Sequence, residues 1–278
     1  MSYRIVCDSC TDLNASMLQD PHFVKVPLTI RVGDVSMVDD ATLAQSELLW
    51  RMKECPDAPQ TACPSPSQYL EVFEETGDDI YVVTLSALLS GSHNVATQAK
   101  AIYEEEGGQK NVYVFNSCSA SAGQVRIALK IQELAEAGRP FAQVVAEVNR
   151  FIAEMKTLFV LESLDNLRKN GRLSKVQAIV TGTLKIKLLM GSTPEGQICK
   201  LGQGMSIKQT LNKMVALVAA DEGHKDKTLV ISHCNCLDRA FYVRELLEKS
   251  CQLKEIVFCE TGGISTVYAN DGGIVLAY

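Results

Sequence analysis

The stretch from Val82 to Ala96 changes character abruptly, and this change constrains the fold more than any other feature of the chain. It begins as an apolar strand-like run, passes through Ser90-Gly91-Ser92, and then takes the spacing of a helix with one buried face. A strand that leads through a Ser/Gly turn into a helix places N–H groups and hydroxyls at the positive end of the helix dipole. Such a turn can bind a phosphate or a carboxylate, but this stretch alone is equally explained by Ser90 or Ser92 acting only as a helix cap.

Short apolar strands alternate with amphipathic helices along the first 157 residues. This alternation is typical of parallel βα units, whose ligands bind outside the carboxyl ends of the strands. A second turn of small residues, Ser117–Gln124, should lie at the same edge of the sheet. We therefore predict an N-terminal α/β/α domain with a parallel sheet over residues 1–157. Its other predicted elements are strands at Tyr3–Cys7, Val24–Val32 and Asn111–Asn116, a short helix capped by Thr11 or Asp12, and helices at Leu43–Lys53, Gln68–Glu75 and Phe141–Met155.

Beyond Thr157 the pattern mixes a hairpin with βα units. Leu184–Gly191 and Gln197–Leu201 flank a turn signal and predict two antiparallel strands. A hairpin among βα units predicts a mixed sheet with helices largely on one face, so residues 158–278 should form a two-layer α/β domain. The boundary near residue 157 is placed to within about five residues. The other predicted elements are a helical segment to about Thr181, helices at Ile207–Ala220 and Asp238–Lys249, and strands at Leu158–Leu161, Thr228–His233, Glu255–Cys259 and Gly273–Ala277.

Composition excludes several classes of partner. A net charge of −6 provides no basic excess for a nucleic-acid backbone. The first residues lack the apolar core of a signal peptide, and no apolar run approaches the ~18 residues of a membrane span. We expect a soluble, cytoplasmic protein without stable membrane insertion. The ten cysteines are then expected to be reduced structural thiols, because Cys7–Cys10 and Cys234–Cys236 match redox and zinc patterns poorly.

The sequence contains no complete catalytic motif. Gly191 and Gly196 have the spacing of a phosphate loop, but the Lys and Ser/Thr that should follow are absent. His93 lies one residue from Ser92 at a helix start, where the two side chains diverge, so a Ser–His pair is not predicted. The Pro-rich segment at residues 58–67 is either a connecting loop or a rigid support that holds Thr61 and Ser65 for a ligand.

Four short motifs in order make the chain resemble the DegV family of bacterial fatty-acid-binding proteins over its whole length. They are Asp8-Ser9-Cys10-Thr11-Asp12-Leu13, Thr61-Ala62-Cys63-Pro64-Ser65, Leu89-Ser90-Gly91-Ser92 and Leu167-Arg168-Lys169-Asn170-Gly171-Arg172-Leu173-Ser174.

The resemblance implies two α/β domains that close over a tunnel for one acyl chain, such as palmitate, stearate or oleate. It implies that Thr61, Ser90, Gly91 and Ser92 bind the carboxylate of the fatty acid, with Tyr268 nearby. It implies neither a metal nor a cofactor. Burial of a long acyl chain at about 0.8 kcal/mol per methylene supplies ample affinity. The resemblance further implies a non-catalytic protein that presents the fatty acid to a separate fatty acid kinase subunit, with Arg168 and Arg172 as a basic docking edge.

This sequence departs from the family pattern at several positions. Tyr268 stands where many relatives have a histidine, and Gln203 or Gly204 stands where an arginine is usual. Ala62 replaces the second hydroxyl residue of the threonine loop, and Asn116 replaces an aspartate. Thr61 and the Ser90–Ser92 turn are retained, so lipid binding is the leading hypothesis. The alternative is an enzyme that acts on a small phosphorylated or carboxylated metabolite at the same turn.

Overall fold

The computed structural model describes residues 2–74, 77–173 and 186–278, and its first sheet has four parallel strands. These are β1 (Tyr3–Asp8), β2 (Phe23–Val26), β6 (Asp79–Thr84) and β7 (Asn111–Asn116), in the order β2-β1-β6-β7. Every residue of β6 is buried, as expected for a parallel strand covered on both faces. The carboxyl ends of β1, β6 and β7 therefore meet at one edge, as the sequence predicts.

Helices cover both faces of this parallel sheet, which confirms the α/β/α architecture. One face packs against α3 (Pro66–Glu74) and α4 (Ser92–Glu105). The other packs against α1 (Ala15–Gln19), α5 (Ala122–Glu136) and α6 (Phe141–Glu154). The predicted cap of α1 is wrong: Asn14 caps it, because its side chain accepts from the Met17 N–H.

The second sheet is mixed and has six strands in the order β10-β9-β8-β13-β11-β12. Only β11 and β12 pair in parallel; the other neighbours are antiparallel. Its strands are β8 (Thr157–Val160), β9 (Lys187–Ser192), β10 (Ile198–Gly204), β11 (Thr228–His233), β12 (Glu255–Glu260) and β13 (Ile274–Ala277). The predicted hairpin is present as β9–β10. Its first predicted residues, 184–185, and the helical segment predicted up to Thr181 fall in the range 174–185, which lies outside the described residues.

The two long helices of the C-terminal half lie on one face of the mixed sheet, but its other face is also covered. After the short α7 (Asp165–Lys169), α8 (Ile207–Ala220) and α9 (Leu237–Ser250) pack on the first face. The second face rests on α5, whose residues from Ala122 to Ala128 are all buried. All strands of the parallel sheet precede residue 157 and the mixed sheet begins with Thr157, whereas α5 belongs to the core of both. A division into two domains at this point stays a prediction.

A small antiparallel sheet, β4-β3-β5, corrects the single strand predicted for Val24–Val32. That segment is two strands, because Pro27 and Leu28 separate β2 from β3 (Thr29–Val32), which pairs with β4 (Val35–Val38) and β5 (Gln60–Ala62). The small sheet packs against α2 (Gln45–Glu54) and against α10 (Gly263–Ala269), a helix that the sequence pattern did not predict.

All ten cysteines are free thiols. Across the described part of the chain no three His, Cys, Asp or Glu side chains come together in a way that could hold a metal ion. Among the same residues, no helix is long and apolar enough to cross a membrane.

Candidate functional site

A narrow cavity lies where the carboxyl edge of the parallel sheet meets β8–β10, β13 and α10. Its walls are mostly apolar, and its hydroxyl groups are gathered in a few places. The apolar wall residues are Leu28, Leu85, Leu89, Ala120, Phe159, Leu161, Leu167, Ile198, Ile264, Ala269 and Val275. A cavity with this lining favours an elongated apolar ligand over a small phosphorylated one.

Thr61 and Tyr268 form the polar end of the cavity. The Thr61 Oγ1 and Tyr268 OH atoms are 2.7 Å apart, although the two residues are 207 positions apart in the chain. Two hydroxyls that bond to each other use one O–H between them and retain the second for a ligand. Both side chains are half-buried and line the cavity, so this pair can donate to a carboxylate.

Arg172 lines the same end of the cavity, which the sequence interpretation missed by treating it only as a docking residue. Its guanidinium carbon lies 5.9 Å from the centre of the Tyr268 ring, and its Nε donates to the Leu89 carbonyl oxygen at 3.2 Å. Another of its N–H groups donates to the Asn170 carbonyl oxygen. A guanidinium carries five N–H donors, so these bonds do not exhaust its capacity. Arg172 is thus placed to balance the charge of an anionic head group.

Hydrogen bonds between residues distant in the chain hold the elements that carry Tyr268 and Arg172. Asp39 accepts from the N–H groups of Gly263 at 2.7 Å and Ile264 at 2.9 Å, which satisfies the first turn of α10. The Asn170 amide donates to the Pro59 carbonyl oxygen at 3.0 Å. That bond joins the segment before Arg172 to the strand that carries Thr61.

The three residues of the predicted anion turn do not share one environment. Ser90 lines the cavity, Gly91 is exposed at its mouth, and Ser92 is buried behind them. The Ser92 hydroxyl donates to Asp8 Oδ2 at 2.6 Å and lies 3.1 Å from the Tyr69 hydroxyl. Ser90, not Ser92, is therefore the turn hydroxyl that faces the cavity in this structure.

Asp8 fixes the turn from behind. Besides Ser92, it accepts from the Leu85 N–H at 2.7 Å and from the Gln124 amide at 2.8 Å. Burial raises the pKa of Asp8, although these donors oppose the shift. Three donors on one carboxylate join β1, the segment after β6 and α5, so Asp8 sets the position of the turn relative to the cavity.

An open pocket outside the cavity forms its mouth. The two spaces share Leu89, Ser90 and Arg172, and the outer one also includes His93 and Gly91 at the start of α4. Burial lowers the pKa of His93, so its imidazole is neutral at pH 7; its Nδ1 lies 3.1 Å from Thr84 Oγ1. The mouth thus combines the N-terminal end of a helix with one guanidinium.

The remaining predicted residues lie away from the cavity. Arg168 is half-exposed and pairs with Asp165 at 3.3 Å. Gln203 is exposed and accepts from Lys200, whereas Ala62 is exposed on β5. Asn116 accepts from the N–H groups of Ala87 and Cys118, at 3.0 and 3.2 Å, and so braces two of the loops near the cavity.

A second group of hydroxyls lines the cavity and was not singled out from the sequence. Its members are small and come from loops and strand ends of both halves of the chain: Ser119, Ser121, Thr157, Ser192 and Ser265. The only signal in the sequence was the small-residue turn at Ser117–Gln124, which the prediction placed at the correct edge of the sheet.

Comparison with known proteins places the chain in a family. The model of a family described as "Uncharacterised protein, DegV family" matches residues 2–278. The chain belongs to the DegV family. A DegV domain-containing protein of Streptococcus gordonii is 33% identical over 280 residues, which cover 100% of this chain and 99% of the relative.

Two solved DegV-type structures match the fold closely. A DegV family protein of Ruminococcus gnavus, described with vaccenic acid, has a TM-score of 0.97 and 47% identity, with 100% of both chains covered. The fatty acid kinase B3 protein of Streptococcus pneumoniae, loaded with linoleic acid, has a TM-score of 0.91 and 34% identity, with 100% of this chain and 99% of that chain covered. These matches confirm the fold class expected from the resemblance, a parallel-sheet α/β part followed by a mixed-sheet α/β part.

Proposed function

We propose that this DegV family protein binds one long-chain fatty acid without chemically altering it. The observation that carries the proposal is the narrow apolar cavity with Thr61, Tyr268, Ser90 and Arg172 grouped at its mouth. The apolar walls bind the acyl chain by the hydrophobic effect, while the polar end binds the carboxylate and fixes its register. The fatty acids described in two close structural relatives support the same ligand class.

We further propose that the bound carboxylate is presented to a separate fatty acid kinase subunit. The support is the similarity to the pneumococcal fatty acid kinase B3 protein and the open pocket in front of Arg172. Arg168, the other residue of the predicted basic edge, is half-exposed and pairs with Asp165. In this role the protein acts as a binding subunit, and the kinase binds ATP and transfers its γ-phosphoryl group to the fatty-acid carboxylate, which gives acyl phosphate and ADP.

Solvent extraction followed by mass spectrometry tests the proposal. Protein purified from two different bacterial hosts should release about one long-chain fatty acid per chain. After delipidation, it should rebind oleate or palmitate. It should bind the corresponding methyl ester more weakly, because the ester lacks the charge that Arg172 balances. Protein that contains no fatty acid from either host and does not rebind one would overturn the proposal.

A further inference from the structure

The direction of the cavity can be determined from β8 and the residue after it. Thr157, Phe159 and Leu161 all line the cavity, and residues two apart in a strand share one face. Four residue steps along a strand span about 13 Å. Leu161 belongs to the apolar cluster that contains Tyr268 and Leu167, so the polar end lies beside Leu161 and the opposite end lies beside Thr157.

The end beside Thr157 is closed by side chains that satisfy one another. The Ser119 Oγ and Thr157 Oγ1 atoms are 2.7 Å apart, and both residues are buried. The Ser119 carbonyl oxygen accepts from the Ser86 N–H at 2.9 Å, and the Ser86 hydroxyl donates to the Gly196 carbonyl oxygen at 2.8 Å. These bonds tie the loops after β6 and β7 to the tip of the β9–β10 hairpin.

Gly196 allows the hairpin tip to lie against these loops. Its φ angle is +87°, which L side chains rarely adopt. A Cβ atom there would sit 2.4 Å from Ser86 Oγ and 2.7 Å from the Cα of Cys118. The hairpin tip is therefore in direct backbone contact with the closed end of the cavity.

Ser192 separates this closed end from a second space. It lines the main cavity together with Thr157, and it also lines a small outer cleft with Cys118, Thr193 and Pro194. Among the described residues, Ser192 is the one that lines both spaces. Ser192 is half-buried and is the last residue of β9.

We propose that Ser192, together with the Ser119–Thr157 pair, sets the longest acyl chain that the protein accepts. This inference rests on the proposed fatty-acid binding. A chain that enters from the Tyr268 end runs along Leu161 and Phe159 and places its terminal methyl against Thr157 and Ser192. Removing the Ser192 side chain joins the cavity to the outer cleft, whereas enlarging it shortens the cavity.

A series of saturated fatty acids from C12 to C22, bound to delipidated protein, tests the proposal. For Ser192→Gly we expect the preferred length to rise by two or more carbons, with about fourfold in affinity for each methylene newly accommodated. For Ser192→Leu we expect the preferred length to fall by a similar amount. Thr157→Ala enlarges the same end from the opposite side and should shift the preference in the direction of Ser192→Gly.

Pro194→Ala is the matched control, because Pro194 lines the outer cleft but not the main cavity. It should leave the length preference unchanged. If the Ser192 and Thr157 variants bind with an unaltered length profile, the assignment of the closed end is wrong while fatty-acid binding stands. If the unmodified protein binds none of the series, fatty-acid binding fails, and the assignment of the end wall fails with it.

Discussion

The hydroxyl pair of Thr61 and Tyr268 allows a prediction about how two substitutions combine. One of its two O–H groups is used between the residues, across 2.7 Å, and the other is free to donate to a carboxylate. Thr61→Val or Tyr268→Phe alone leaves one O–H, which can turn to the ligand. The double variant leaves none, so a partly buried carboxylate loses a charge-assisted bond.

The expected magnitudes follow from this count of donors. Each single variant should weaken fatty-acid binding by less than about tenfold, or about 1 kcal/mol, since the remaining O–H can still donate to the carboxylate but is no longer oriented by its partner hydroxyl. The double variant should lose roughly 3 kcal/mol, or about 150-fold, because a bond to a charged group is also lost. The binding free energy lost in the double variant should exceed the sum of the two single losses by about 1 kcal/mol. That difference is larger than the deviation from additivity found for independent sites.

Displacement of a fluorescent fatty acid from delipidated protein measures these affinities directly. Tyr113→Phe is a matched control, because the Tyr113 hydroxyl also has a hydrogen-bond partner, Asn149 at 2.9 Å, but does not line the cavity. It should leave affinity unchanged. Losses that add within about 0.5 kcal/mol, or a double variant that binds as tightly as the single ones, would refute the shared-donor reasoning.

Three further predictions follow from the same contacts. Ser92→Ala should lower the free energy of unfolding by about 1–3 kcal/mol, since buried Asp8 loses a donor, and should change fatty-acid affinity less than Ser90→Ala does; denaturant unfolding and the displacement assay separate the two effects. Arg172→Gln should weaken binding of a fatty acid more than binding of the fatty alcohol of the same length, and equal losses for both would contradict its assigned role in charge balance. Burial raises the pKa of Asp12 to about 6, so the folded chain holds this proton more tightly than the unfolded chain. The stability from this group is complete below about pH 4 and is lost as the pH rises through about 6. Asp12→Asn should flatten that part of a profile of urea-unfolding free energy against pH, and an unchanged slope would contradict this assignment.

Regular elements could be predicted from the sequence where the local pattern and the tertiary environment agree. The β9–β10 hairpin and α4 are such cases, since alternation and helical spacing each correspond to one buried face. The single strand predicted for Val24–Val32 failed for a different reason. Apolar periodicity shows that residues are buried but not in which sheet, and β2 and β3 belong to different sheets.

Helix α10 was missed because its own residues do not favour a helix. The seven residues from Gly263 to Ala269 include Ile, Thr and Val, whose branched side chains lose χ1 freedom in a helix. Asp39, more than 220 positions earlier, supplies the acceptors for the first N–H groups of the helix. A partner so distant in the chain leaves no signal in a window of ten or fifteen residues. The position of Tyr268 in the cavity could therefore not be derived from local pattern alone.

The placement of Arg172 shows the same limit for charged residues. It occurs in a polar, basic segment, and such a segment is usually a solvated surface. In the structure, the Asn170–Pro59 hydrogen bond joins residues 111 positions apart and draws this segment against the strand that carries Thr61. An arginine there can run its aliphatic stem along an apolar wall while its guanidinium stays at the mouth. The charge that best suits a fatty-acid head group is thus supplied by a residue whose sequence context indicates only exposure.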